Sequence, residues 1–492
     1  MNCASPSRIA NLAATPVQVQ VIGEGRGKGK GGLDRDRRPG RNPIQDGILG
    51  ALAEACSTDE SFRCSGPPVP THRRRRFALP SQTHPSHWRM NLAPAVPIHG
   101  YCDPRFSEVK EIFAAKLESN EVGAAIAFTL DGEPVVDLWG GYTAEDQVRE
   151  WERDTIVNTY STTKGMTALI AHRLVEQGRI DLDAPVATYW PEFAQAGKAE
   201  LPVRWLLDHR AGLPAIRKTL PPETLYDWDA MCVALAETEP WWKPGSQHGY
   251  HPVTFGFLVG EVIRRVAGKS VGQLFREDVA EPLGADFHIG LAPEHHARVS
   301  DLIGGIVPPR SSKPKKEGQP AARIKGPMGD FMRDMADPKT MVGAAFNNPR
   351  IRSGAHNTSE WRQAEIPAAN GHGNARALAR VYGALACGGE VDGVRLLEPD
   401  SISLARTEQA SGPDATLGQM PMRYGLGYML RSDFMPLSPN ESAFGHPGAG
   451  GSIGMADPDV GVGFGYVMNK MSMGLVGGPT GFGVLKAFFD AL

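Results

Sequence analysis

The chain has 492 residues, long enough for two to four domains or for one enzyme body carrying an inserted subdomain, and 41% of it is hydrophobic. No apolar run approaches the roughly 18 residues that a helical membrane span needs, which excludes a span of that kind. The formal net charge is −3, yet residues 1–100 hold 14 Lys/Arg against 7 Asp/Glu, so the remainder carries about −10, which argues against nucleic-acid binding by the globular part.

Residues 1–100 read as a disordered basic tail: Gly23–Gly32 is rich in Gly, Lys and Arg, charges alternate from Asp34 to Arg38, and prolines cluster after Gly66. Arg73–Arg76 is a candidate polyanion or targeting patch, with a solvated tail as the plainer reading. The composition turns globular a few residues after Met90, which makes Met90 a candidate start. Asn11, Pro16 and glutamines break up residues 9–22, so no signal-peptide core stands there. Six scattered cysteines without CxxC spacing read as reduced thiols, so a cytoplasmic location is expected.

The body, 101–492, opens with a helix over Phe106–Ser119, capped by Ser107 with Lys110 in solvent. A β-hairpin follows: Val122–Leu130, the turn Asp131-Gly132-Glu133, and Pro134–Trp139. An apolar helix through Leu169, Ile170, Leu174 and Val175 runs to about Gln177 and stops at Gly178. Residues 181–290 read as mostly helical, with Trp205–Leu207, Met231–Glu237 and Thr254–Ala267 the clearest pieces. Residues 291–370 read as long Pro/Gly-rich loops over a cleft. Helical patterning returns at Asn374–Cys387, followed by strands at Tyr424–Leu430, Ser452–Ala456 and Val460–Asn469, and a helix from about Phe482. The pattern predicts an α/β (α+β) fold: a sheet from both chain ends, about 101–180 and 370–492, beside a helical and loop insertion at about 181–369, with a cleft between them.

The apolar helix begins at Ser161-Thr162-Thr163-Lys164. Residues three apart share a helix face, so the Ser161 hydroxyl and the Lys164 amine can meet. A serine needs an adjacent base, and a desolvated lysine can be one. The helix N-terminus favours both the alkoxide and the neutral amine. Ser-x-x-Lys recurs at Ser107/Lys110 and Ser312/Lys315, but the first sits on a solvated helix and the second in a Pro/Lys loop. On the residues alone, Ser161 is either a nucleophile or part of a Ser/Thr-rich cap on a core helix.

The order of four motifs says more than any one of them. Ser161-Thr162-Thr163-Lys164, Leu206–Pro214, Pro244–Pro252 and Gly445-His446-Pro447-Gly448 together resemble the serine β-lactamase and penicillin-binding-protein superfamily, and most of all its β-lactamase-like family VIII carboxylesterases. The likeness spans about residues 103–492. It implies a β-lactamase/transpeptidase-like antiparallel sheet flanked by helices, with an all-helical inserted subdomain. It also implies an acyl-enzyme on Ser161 with Lys164 as base partner, and Tyr250 as the proton shuttle to the leaving group. His446, Gly448 and Ala449 would bind substrate, with the Ala449 and Ser161 N–H groups as oxyanion donors. The expected substrate is a small-molecule ester, with no cofactor and no metal. Without the resemblance, Tyr250 would read as a buried aromatic and His446 as a turn histidine.

Two positions depart from the lactamase pattern. Pro252 stands where an Asn usually binds the acylamino group, and Pro447 replaces the Thr/Ser that helps hold the substrate carboxylate. Ester hydrolysis needs neither, so short-chain esters are the expected substrates. The alternatives are an acyltransferase using the same intermediate, a β-lactamase or D-peptidase, and an inactive binding protein on the same fold.

Three rival motifs are weaker. Gly450-Gly451-Ser452-Ile453-Gly454 matches a nucleophile elbow, but no histidine follows it and its expected context is strand-turn-strand. Gly461-Val462-Gly463-Phe464-Gly465 lacks dinucleotide spacing and reads as a strand with close-packed glycines. His248/His251 and His295/His296 have no third ligand at convincing spacing.

Overall fold

A computed structural model describes residues 96–305, 327–472 and 477–492, all within the second of the two units into which the chain divides, Arg89–Leu492. The strands nearest the N-terminus are Ile98–Cys102 (β1), Gly123–Leu130 (β2) and Glu133–Gly141 (β3). The expected hairpin forms between β2 and β3. Asp131 and Gly132 take φ of 51° and 85°, the left-handed pair whose twist suits a two-residue connection.

The C-terminal half supplies six more strands: Ala410–Pro413 (β4), Pro421–Tyr424 (β5), Met429–Leu430 (β6), Phe444–Pro447 (β7), Ile453–Asp457 (β8) and Val462–Met468 (β9). All nine form one antiparallel sheet in the order β1-β3-β2-β9-β8-β7-β6-β5-β4. The two chain ends meet at β2 and β9, from Val462 opposite Leu130 to Met468 opposite Ala124.

The helices that position the site are Ser107–Ser119 (α1), Thr163–Glu176 (α2), Thr254–Ala267 (α3), Ala375–Ala386 (α4) and Pro479–Ala491 (α5). Alternation along β9 explains how the sheet is covered. Gly463 and Gly465 face α4, where an added Cβ would lie 2.3 Å from Gly383 N and 2.1 Å from Ala375 O. Phe464 points the other way, onto Phe128 at 4.5 Å, and Phe128 stacks on Phe488 of α5 at 4.0 Å. The glycine series therefore serves close helix–sheet approach in a strand.

In sequence, the helical insertion lies between the strands of the two chain ends, and it also carries the two-residue strands Phe287–His288 and Val299–Ser300. These join Ile156–Asn158 and His372–Gly373 in a second, four-stranded sheet that ties the insertion to the chain on either side of it. No helix among the described residues is long and apolar enough to cross a membrane.

Three local expectations change. The stretch 291–370 contains the helices Pro327–Ala336, Met341–Asn347 and Ser359–Gln363, each burying only a few apolar side chains such as Phe331, Met335 and Trp361. Tyr424–Leu430 is two strands, because Gly427 takes φ of 87° and the chain doubles back so that Tyr424 pairs with Met429. Ser107 is the first helical residue of α1 and its side chain caps nothing; Asp103 caps the preceding turn instead, through Arg105 N at 2.9 Å. The Ser312/Lys315 motif and the readings on residues 1–95, including Arg73–Arg76, lie outside the described residues.

Candidate active site

Ser161 occupies the turn that leads into α2, its carbonyl accepting Lys164 N at 2.9 Å. The turn is tied down on three sides. Thr162 Oγ1 lies 3.0 Å from Ser452 Oγ, which donates to Thr159 O at 2.7 Å, and Thr163 Oγ1 accepts Gly371 N at 2.8 Å. No side chain caps the start of α2, so the cap reading of this Ser/Thr cluster is not what the fold uses. Tyr160, just before the serine, has φ of +45°, a costly backbone for a bulky residue, and its phenol meets His356 Nδ1 at 3.0 Å.

Lys164 is 0% exposed, and among the described residues no carboxylate pairs with it. Its Nζ contacts Pro252 O at 2.7 Å, Ala368 O at 2.9 Å and Ser161 Oγ at 3.1 Å. Desolvation holds its pKa well below the ordinary lysine value. A neutral amine has two N–H groups and one lone pair. The two carbonyls accept two of the amine's N–H groups, and in the neutral form the remaining lone pair is available to the Ser161 hydroxyl.

Tyr250 brings its ring centroid to 4.8 Å from Lys164 Nζ. Burial pushes its phenol above the ordinary range, the neighbouring Ser161 side chain pulls it down, and the Asp414 charge pushes it up. His446, on β7, is 1% exposed with its ring 6.0 Å from that of Tyr250. Its Nδ1–H donates to Pro447 O at 2.7 Å, so the bare Nε2 is an acceptor, and among the described residues nothing donates to it. Burial, with Lys164 nearby, lowers the imidazole to about 3.

Gly448 and Ala449 form the bend after β7. A Cβ on Gly448 would sit 2.2 Å from both Ser452 Oγ and Thr159 O, so only glycine lets this bend close on the serine turn. Among the described residues neither the Ser161 nor the Ala449 N–H is donated to another protein group. Ser161, Lys164, Tyr250, His446, Gly448 and Ala449 thus come from three separated segments. The structure links Ser161, which is partly exposed, with the buried Lys164 and Tyr250, and Tyr250 with the buried His446.

The rival residues have other occupations. Ser452 lies between a Gly-rich bend and β8, with both partners of its hydroxyl in the Ser161 turn. His251 donates from Nδ1 to Gly249 O at 2.7 Å and accepts Leu213 N at Nε2 at 3.1 Å, which locks the Leu206–Pro214 wall to the Tyr250 segment. His248 contacts Gly412 O at 3.2 Å, His296 contacts Leu291 O at 3.4 Å, and His295 Nδ1 accepts from Arg298 at 3.2 Å. The sequence reading missed Asp414 and the carbonyls of Pro252 and Ala368, and it took His209 only as part of the Leu206–Pro214 motif. A backbone carbonyl leaves no sequence signal, and Asp414 in Gly412-Pro413-Asp414-Ala415 reads as turn punctuation.

A two-ended antiparallel sheet beside a helical insertion, with Ser-x-x-Lys opening the helix at their junction, defines a β-lactamase/transpeptidase-like hydrolase. The family model described as Beta-lactamase matches residues 109–477, and the chain belongs to that family. It is 38% identical over 383 residues to the Esterase/beta-lactamase LipL of Mycobacterium tuberculosis, covering 77% of this chain and 84% of that one. The crystal structure of a family VIII carboxylesterase shares 39% identity with a TM-score of 0.72, covering 80% of this chain and 100% of that one. A penicillin-binding-protein homologue from Caulobacter crescentus shares 40% identity with a TM-score of 0.71, covering 80% of this chain and 100% of that one. The protein is accordingly an enzyme, a carboxylesterase-type hydrolase of the β-lactamase superfamily.

Proposed function

We propose that the protein hydrolyses short-chain carboxylic esters through an acyl-enzyme on Ser161. The observation that carries this reading is the placement of Lys164: buried, unpaired with any carboxylate among the described residues, and 3.1 Å from the serine oxygen. The neutral amine takes the Ser161 proton as Oγ attacks the ester carbonyl. The oxyanion receives the Ser161 and Ala449 N–H groups. Tyr250, protonated, gives its proton to the departing alkoxide and recovers one through Lys164. Water then attacks the acyl group with the same residues in reversed roles, which releases the acid and restores Ser161. A cytoplasmic location, read from six scattered cysteines without CxxC spacing, is part of this proposal.

Lactam hydrolysis is the second reading, favoured by a relative whose name joins esterase and β-lactamase. The polar groups of this site weigh against it. Pro252 offers only a carbonyl, already taken by Lys164, and Pro447 has no hydroxyl. His446, neutral with a bare Nε2 lone pair, cannot attract a carboxylate as a cation would. Leaving a buried polar group unpaired costs about 1–3 kcal/mol. Two such losses amount to roughly 30- to 10⁴-fold in kcat/KM.

The test is a panel of short-chain aryl esters, penicillins and cephalosporins, with intact-mass detection of the acyl-enzyme. Rapid ester turnover with slow or absent lactam turnover is expected. Equal kcat/KM on any common lactam would move the protein to the lactamase side of the superfamily. Ester formation from an added alcohol acceptor at the expense of hydrolysis would make it an acyltransferase.

A further inference from the structure

The most heavily bonded buried charge near the site has no part in the chemistry above. Asp414 is 0% exposed and lies in the loop after β4, 164 residues from Tyr250. The Tyr250 backbone N–H reaches both of its oxygens, Oδ1 at 3.1 Å and Oδ2 at 2.9 Å. Thr416 N and Leu417 N donate to Oδ1 at 2.8 Å each, and the Tyr424 hydroxyl donates to Oδ2 at 2.8 Å. The two segments are joined again beside this clamp: Ala415 N donates to His248 O, and His248 Nε2 meets Gly412 O, both at 3.2 Å. The Tyr424 ring stands against His209 at 4.8 Å, and His209 stands against Tyr250 at 5.0 Å.

A single carboxylate thus joins the far end of the sheet to the segment that carries the phenol. We propose that Asp414 is a positioning residue for Tyr250: it fixes the tyrosine's backbone and, through Tyr424 and His209, the wall behind its ring. This rests on the reading above in which Tyr250 relays the proton. A buried carboxylate that merely stabilised the 412–420 loop would not need the Tyr250 N–H. The loop's own donors, Thr416 N and Leu417 N, already occupy Oδ1. The Asp414 charge also opposes ionisation of Tyr250, which favours the protonated phenol that the relay starts from.

The test measures kcat, KM and thermal midpoint with 4-nitrophenyl acetate for the full chain and for Asp414→Ala, Asp414→Asn, Tyr424→Phe and Tyr250→Phe, with Asp414→Ala and Tyr424→Phe also in the Tyr250→Phe background. Displacing a reacting group by a fraction of an ångström to 1 Å costs up to about 100-fold. Asp414→Ala is therefore expected to lower kcat roughly 10- to 100-fold with KM within about threefold. Asp414→Asn keeps an oxygen for the three N–H donors, and its amide can donate to the Tyr424 hydroxyl, so it should recover most of that loss.

Both single losses should shrink to less than about twofold in the Tyr250→Phe background, because they act through the same phenol. If Asp414→Ala does not fold, Tyr424→Phe in the two backgrounds decides, since it loosens only the Oδ2 side of the clamp. An unchanged kcat in the decisive variant, or an undiminished loss in the Tyr250→Phe background, overturns the proposal alone. Full activity of Tyr250→Phe overturns the relay reading, and the proposal with it.

Discussion

Ser161 and Lys164 were legible as a pair because three-residue spacing on a helix is a local rule. What the spacing did not hold is the surroundings of the amine: burial, which lowers its pKa, and two carbonyls from distant segments that fix its position. Ser161→Ala is expected to lower kcat for aryl esters by at least about 10³-fold, and Lys164→Arg to do the same, because a guanidinium does not deprotonate. Steady-state assays on folded variants check both. The pH profile tests the same assignment. Lys164 must be neutral, so kcat/KM should be lost as pH falls through the lysine's depressed pKa and be regained as pH rises through it. Tyr250 must be protonated and its pKa is raised, so the alkaline limb belongs above the ordinary tyrosine range near 10. His446 and His251, both lowered to about 3, stay neutral from pH 5 upward, so no limb near the usual histidine value is expected. A limb there that disappeared in His446→Gln would show that this imidazole titrates in the working enzyme.

At the scale of elements, strong periodicity or a two-residue turn carried the reading: the β2–β3 hairpin, α2, α3 and α4 all stand where the pattern placed them. The elements that escaped bury few side chains. β1 keeps three of its five residues exposed and is held by backbone pairing to β3, so no apolar alternation marks it. The Gly-rich run before β8 shows how a motif can mislead. Ser452 is the residue by which β8 holds the serine turn, through Thr159 and Thr162. Ser452→Ala should therefore cost about 1–3 kcal/mol of stability by leaving the buried Thr162 hydroxyl without its partner and the Thr159 carbonyl with only the 3.3 Å bond from Thr162 N, while most of the esterase activity remains. Chemical denaturation alongside the ester assay separates the two effects, and loss of activity in a fully folded variant would return Ser452 to the list of candidate nucleophiles.

For the whole molecule, the boundary between basic tail and acidic body is a compositional matter that we carry forward as a proposal. A chain beginning at Met90 should match the full chain in melting temperature and in kcat/KM for short-chain esters, because residues 1–89 lack the apolar content to join a core. A large fall in melting temperature on truncation would show that the tail docks on the body. The sequence by itself determined the family, the two-ended sheet with its helical insertion, and the pairing of Ser161 with Lys164. Each of these depends on short-range spacing or on the order of motifs along the chain. Only the tertiary structure decided how the amine is desolvated, which nitrogen of His446 carries its proton, and which carboxylate holds the Tyr250 segment. Those are consequences of burial and of hydrogen bonds between residues up to 204 positions apart, as from Lys164 to Ala368, and no local pattern encodes a partner that far away.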